Sequence, residues 1–376
     1  MKTNLLLWVT ICLTLAYHAS KANERCVQDD VSIAIVEFAV DLYKNVSSRN
    51  AINLVISPIS IYTTLAMMAV TARPATRKNI LEAMFLNPEK TNEVLHEDIS
   101  LLINSTIRRK QSVVIRYNND IFMSGDVHPN FEGNVTKYYR ANIHKISFDN
   151  PKQAVDDINS YLNKTTRGRI ENLMEQLNEK TTMVLLNYFF FNAKFTKKFD
   201  LHKTKDGIFQ GSDGKNVTVP MMHDSGYFKT YRDSRNSDSK VIQVPYSDNI
   251  VLLLILPPMG RLREVETNLT SGTIRKYLHS SRYSLVDLSL PRFNFKNTVE
   301  LKSALESIGV GNTIYQKTSV NMTETELGLK GGTVVQLSEC KPNPEFKVDH
   351  PFLMTVYDKD TDTILLIGRF GSPSEI

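Results

Sequence analysis

Seven asparagines carry the plainest chemical instruction in this chain. Asn45, Asn104, Asn134, Asn163, Asn216, Asn268 and Asn321 each stand two residues before Ser or Thr with no intervening Pro, the acceptor pattern for an N-linked glycan. One such triplet arises readily by chance, but the set argues for a glycoprotein in which every modified Asn lies at the surface. Cysteine is scarce: Cys12, Cys26 and Cys340. Cys26 and Cys340 either bond, tying the N-terminal segment to a point near the C terminus, or stay free thiols, because sequence carries no distance. Arg108-Arg109-Lys110, with Arg116 nearby, is by composition alone a solvated basic surface. Catalytic spacing is missing. There is no Gly-x-Ser-x-Gly turn and no Gly-Lys-Ser/Thr phosphate loop, and His96-Glu97 lacks the second His that a zinc site on that helix requires. His128, His223 and His279 have no ligand-like spacing. The expectation is no catalytic centre, no metal and no cofactor.

The N terminus explains how such a chain would meet the glycosylation machinery. Lys2, an apolar run from Leu5 to Ala16 and the small residues Ala19, Ser20 and Ala22 are the three parts of a secretory signal. Residues 1–22 are expected to leave, Cys12 with them, and 23–376 to form the mature protein. The run is too short to span a bilayer comfortably, and no later stretch stays apolar for about 18 residues. An exported, extracellular protein without a membrane span is expected. With 376 residues, 41% hydrophobic and 23% charged, the chain has material for one large core. Its formal charge of +5 is far from the concentrated basic face of a nucleic-acid binder. No repeat, low-complexity linker or compositional shift marks a boundary, so one domain is expected, acting as a monomer.

The elements that must carry these residues follow from periodicity. From Asp30 to Lys44, Ile35, Phe38, Ala39 and Leu42 fall at helical spacing. Ser57-Pro58 sets an N-cap residue beside a proline suited to the first helical position, and Ile61, Leu65 and Met68 continue one face. Met183 to Phe191 and Val251 to Leu256 are short, nearly continuous apolar runs of the kind buried strands make. Val286, Leu288 and Leu290 alternate with Asp287 and Ser289, a strand with one wet face. Phe352 to Val356 and Ile364 to Ile367, parted by the charged stretch Asp358 to Asp362, predict a hairpin. Helices early and strands late favour an α+β fold.

Several segments resemble the serpin superfamily. Asn53-Leu-Val-Ile-Ser57-Pro58-Ile-Ser60-Ile61 is similar to its Ser-Pro-x-Ser-Ile helix entry. Ile158-Asn159 with Thr166-Arg167-Gly168-Arg169-Ile170, and Leu185-Leu186-Asn187 with Phe190 to Phe199, match later family motifs in the right order. Val219-Pro220-Met221-Met222, Val244-Pro245-Tyr246, Leu290-Pro291-Arg292-Phe293 and Glu345 to Phe352 continue the likeness to Gly368-Arg369. The resemblance implies three β-sheets with eight or nine helices in one domain. It implies a hydrogen-bonded cluster of Asn53, Ser57, Ser60 and Asn187 under the main sheet, guarding its opening; read without the family, these are ordinary caps and satisfied buried amides. It also places Arg108, Arg109, Lys110 and Arg116 where some members bind sulfated polysaccharide.

Departures from the family pattern gather near the C terminus. Aligning Thr333 to Glu339 with the strand before the reactive loop leaves only Cys340-Lys341-Pro342-Asn343-Pro344, where members carry roughly twenty residues that are cut and added to a sheet as a strand. Five residues reach at most about 18 Å, and two prolines cannot donate to an inserted strand. A second alignment takes Gly331-Gly332-Thr333 as the hinge remnant, at the expense of the strand before it. Phe195 replaces the family's usual Trp, and the only Trp in the chain is Trp8. In the first alignment Glu339 to Pro344 are the loop remnant, and the expectation is a non-inhibitory scaffold that binds a ligand, a glycosaminoglycan or an extracellular protein. The alternatives are a protease inhibitor baited by Lys341, although Pro342 disfavours cleavage there, and a transcript or gene-model variant that lost its loop.

Overall fold

The computed structural model describes residues 30–48, 52–108, 113–126, 128–168, 172–179, 181–193, 195–234, 238–300, 315–322 and 344–373. The chain begins with α1, helical over 30–47, whose apolar stripe of Ile35, Phe38, Ala39 and Leu42 is buried as its spacing requires. A short strand, β1 (Leu54–Ile56), runs into α2 (Pro58–Ala69). Pro58 takes the first turn of α2, where a missing N–H is harmless. Ser57 holds extended backbone at the N-cap position, but its hydroxyl makes no capping bond, contrary to the expected cap. α2 is buried nearly all round because it threads the middle of the molecule, between β4 and β14 introduced below.

Helices α3 (Pro74–Ala83) and α4 (Asn92–Arg108) precede β2 (Val114–Met123), α5 (Pro129–Tyr139) and β3 (Asn142–Lys145). α6 (Pro151–Thr166) then packs on the sheet through Ala154, Val155, Ile158 and Leu162, which join Phe122 and Leu186 in a second core cluster. Asn150 caps its start by accepting from the Gln153 N–H at 3.2 Å. Asn159 tethers the chain that follows, donating to the Met174 carbonyl at 2.8 Å and accepting from the Met174 N–H at 3.1 Å.

Strands dominate the rest: β4 (Met183–Asn192), β5 (Lys205–Gln210), β6 (Asn216–Asp233), β7 (Ser239–Pro245) and β8 (Ile250–Leu256). After α7 (Leu262–Asn268) and α8 (Ser271–Ser280) come β9 (Arg282–Pro291), β10 (Phe293–Glu300), β11 (Tyr315–Met322), β12 (Glu345–Lys347), β13 (Phe352–Asp358) and β14 (Thr363–Phe370). Among the described residues this makes eight α-helices. The nine-stranded sheet has the order β1-β14-β13-β8-β7-β6-β9-β12, with β5 paired to β6; β3-β2-β4 and β10-β11 form the other two sheets. β11 also runs along β4. The architecture is the single-domain α+β arrangement the sequence predicts, and the expected C-terminal hairpin is β13 and β14 in antiparallel register from Phe352↔Phe370 to Asp358↔Thr363.

One ionic knot ties the ends of the chain together. Arg369 on β14 is almost fully buried and donates to both carboxylate oxygens of Glu266 at 2.8 and 2.9 Å, and to the Ser47 carbonyl at 3.2 Å. Tyr43 donates to the same carboxylate at 2.5 Å, and burial pushes its phenol well above the ordinary range. The preceding Gly368 is required by contact: a Cβ there would collide with the Leu54 carbonyl across β1.

Candidate functional site

The site is built where two sheets meet without joining. β4 and β11 lie side by side, yet among the described residues no backbone ladder links them. From α2 a chain of buried polar side chains runs through β4 and β2 to α4. Ser60 of α2 donates its hydroxyl to the Asn187 amide oxygen on β4. Asn187 donates to Asn119 Oδ1 at 2.5 Å, across the register pair that β4 and β2 form at these two residues. Asn119 donates to the Tyr139 carbonyl at 2.8 Å, and the Tyr139 hydroxyl meets His96 Nδ1 of α4 at 2.5 Å. All five residues are buried. Burial, reinforced by the Arg77 charge, lowers the His96 pKa to about 4, so the imidazole is neutral at neutral pH.

Local sequence explains the placements. Ser60 sits one turn into α2, on the side facing β4. Asn187 interrupts the otherwise apolar Met183–Phe191 run, and a buried amide in such a run has to find partners. Sequence reasoning paired Ser60 with Asn187 and missed Asn119, Tyr139 and His96. The available signal was polar residues inside strand and helix patterns that otherwise demand apolar ones.

One member of the expected cluster, Asn53, is placed differently. Asn53 accepts from the Gly371 and Ser372 N–H groups at 2.8 and 3.0 Å and donates to the Ser372 carbonyl at 2.6 Å. It therefore fastens the chain leaving β14 rather than the seam, because β1 is paired with β14 and carries Asn53 to that end of the sheet.

Of the sequons, Asn45, Asn163, Asn216 and Asn268 are exposed, Asn104 and Asn134 are half-buried, and Asn321 lies on β11. Arg108 ends α4 and Arg116 lies on β2. Arg109, Lys110, Cys26, the strand expected over Thr333 to Glu339, and the loop residues Cys340, Lys341, Pro342 and Asn343 lie outside the described residues. Pro344 leads into β12, its carbonyl accepting from the Asp287 N–H at 3.1 Å. β10 is paired antiparallel with β11, from Phe293↔Met322 to Glu300↔Tyr315. No helix among the described residues is long and apolar enough to cross a membrane.

One nine-stranded sheet accompanies two smaller sheets that adjoin at β4 and β11 without a ladder among the described residues. The sequence matches the profile described as Serpin (serine protease inhibitor) over residues 34–326 and 311–373, and the chain belongs to that family. The two matched stretches overlap over 311–326, the part that carries β11. Serine protease inhibitor A6 of Xenopus laevis is 29% identical over 365 residues, covering 90% of this chain and 83% of that protein. Alpha-1-antiproteinase of Rattus norvegicus is 28% identical over 402 residues, covering 98% of each. Human thyroxine-binding globulin, solved with thyroxine, has a TM-score of 0.83 at 25% identity, covering 92% of this chain and 99% of its own. Human glycosylated kallistatin shares the fold at 23% identity, also with a TM-score of 0.83, covering 92% of this chain and 99% of its own.

Proposed function

We propose that the chain is an exported glycoprotein that inhibits a serine protease, offering residues 323–343 as the segment the protease attacks. The observation that carries this is the pairing of β10 with β11. β11 (Tyr315–Met322) is the last strand before β12 among the described residues, and the twenty-one residues 323–343 lie between the two. That length reaches about 70 Å when extended, against about 18 Å for Cys340 to Pro344 alone. The alternative that leaves only Cys340 to Pro344 takes Thr333 to Glu339, outside the described residues, as the strand before the loop.

The sequence of this connection also suits a strand. Thr325, Leu327, Leu329, Thr333, Val335 and Leu337 alternate with Glu326, Lys330, Gln336 and Ser338, with no proline before Pro342. In the family mechanism the protease serine forms an ester with the carbonyl of the cut bond, and the freed segment enters the sheet as a strand. The seam between β4 and β11 is the place for it, and the Ser60–Asn187–Asn119 chain resists its opening.

A binding scaffold that traps nothing is the second function with an observation in its favour. Residues 323–332 lack the alanine run of an inhibitory hinge and carry Glu324, Glu326 and Lys330, and the likeness to thyroxine-binding globulin supports ligand carriage. Loss of the loop from the transcript and glycosaminoglycan binding at Arg108, Arg109, Lys110 and Arg116 are subsidiary proposals. One experiment separates the two functions. The secreted protein is incubated with trypsin-, chymotrypsin- and elastase-type proteases and run on a denaturing gel. A band at the summed mass, with a cut inside 323–343, is expected; cleavage without that band, and no rise in heat stability of the cut protein, would establish the scaffold instead. Treatment with an N-glycosidase should lower the apparent mass of the same sample, and an unchanged band would refute glycosylation.

A further inference from the structure

A second feature lies apart from the seam. Asp224, Gly226 and Phe228 share one face of β6 by the two-residue period of a strand. They meet Val244 and Pro245 at the end of β7, and Lys197 and Phe199 from the connection between β4 and β5, around a cavity of about 100 Å³. Phe199, Phe228 and Val244 are buried and make its wall apolar. Lys197 Nζ donates to Asp224 Oδ1 at 2.6 Å and to the Ser225 carbonyl at 2.8 Å. The space depends on residue 226 having no side chain: a Cβ there would stand 3.2 Å from Lys197 Nζ and 3.8 Å from the Phe228 ring.

We propose that this cavity binds a short alkyl carboxylate, its chain against Phe199, Phe228 and Val244 and its carboxylate on the Lys197 ammonium. Charge selects the head group. The Asp224 side chain is only 11% exposed and that of Lys197 59%, so the buried carboxylate holds the ammonium in place as its counter-charge. An ammonium has three donors, and two are committed to Asp224 and Ser225. An anionic head therefore adds to an ordered cation without uncovering a buried charge. Lys198 and Lys203, exposed on the same connection, and Lys205, exposed at the start of β5, strengthen the positive field. A cationic head would have to displace Lys197 against that field. Size selects the tail, since an apolar cavity of about 150 Å³ takes benzene and this one is smaller, suiting a chain of a few carbons.

Valerate and its neutral counterpart pentanol are the probes, titrated separately into the full glycosylated protein and followed by saturation-transfer NMR of the ligand. Valerate should bind saturably and pentanol about fivefold more weakly, the upper range of an exposed ion pair. Lys197→Met should bring valerate to the level of pentanol, and Gly226→Val should abolish both by filling the cavity. Thermal melts check that the variants fold. If Gly226→Val does not fold, the valerate preference and its loss in Lys197→Met decide the matter alone. Absence of saturable valerate binding, equal binding of the two probes, or unchanged valerate affinity in Lys197→Met overturns the assignment.

Discussion

Different forces hold the middle of the nine-stranded sheet and the seam between β4 and β11. β8, β13 and β14 are buried at every position, and each is laddered to neighbours along its length, as in Leu353↔Ile255 and Thr355↔Leu253. Their backbone donors and acceptors satisfy one another and their side chains form one apolar core. At the seam two strands adjoin without a ladder among the described residues, and from β4 a chain of hydroxyl, amide and imidazole groups leads through β2 to α4. An unpaired strand edge is a template for another strand. The first region resists change by apolar packing, whereas the second is held by a few directional bonds that can be broken and remade. A family whose activity depends on adding a strand needs both, because a sheet can open cheaply only where its neighbour does not move.

The largest effect should come from breaking the rigid side. Glu266→Ala would strand the buried Arg369 without its counter-charge, and a loss of about 3–5 kcal/mol is expected in urea unfolding. A loss under about 1 kcal/mol would show that the knot does not clamp α1 and α7 to β14. Leu254→Ala on β8 opens a cavity in the apolar layer and should lower stability by about 2–5 kcal/mol by the same measurement.

The buried polar chain that leads from β4 to α4 should reveal itself through pH. His96 is held near pKa 4 in the folded protein, against about 6.5 when unfolded. Between those values the unfolded chain binds a proton that the folded chain refuses. Stability is therefore full above about pH 6.5 and falls as pH drops toward 4, on the order of 3 kcal/mol in total. His96→Gln should flatten the slope of melting temperature against pH in this window, and an unchanged slope would assign it to other groups. Asn187→Ala should have the smallest global effect, about 1–3 kcal/mol for a broken buried hydrogen-bond chain. Its signature is local: amide exchange on β4 should quicken while β8 stays protected. Equal acceleration on both strands would erase the distinction between the regions.

Strongly patterned elements are legible in the amino-acid sequence. The runs at Val251–Leu256 and Phe352–Val356 are buried strands as expected, and the Ser57-Pro58 entry does start a helix. Asn53 shows the limit. It stands in the same short motif as Ser60, yet their side chains serve opposite purposes, one fastening the exit of β14 and the other the seam. Motif neighbours diverge because one residue belongs to a strand end and the other to a helix, and only packing fixes where each points. His96 offers still less, since a lone His in an amphipathic helix carries no sign that Tyr139, 43 positions on, will meet it.

The seven sequons, the signal-like N terminus and the order of the serpin-like motifs are properties of the amino-acid sequence itself, because each is a local pattern of residue types. The strand beside β10 is not. Tyr315–Met322 and Thr333–Glu339 are both polar-apolar mixtures, and local propensity does not choose between them. The antiparallel register with Phe293–Glu300 places Tyr315–Met322 beside β10, while Thr333–Glu339 lies outside the described residues. Strand pairing is a long-range contact, decided by what lies opposite across the sheet rather than by what lies adjacent in the chain.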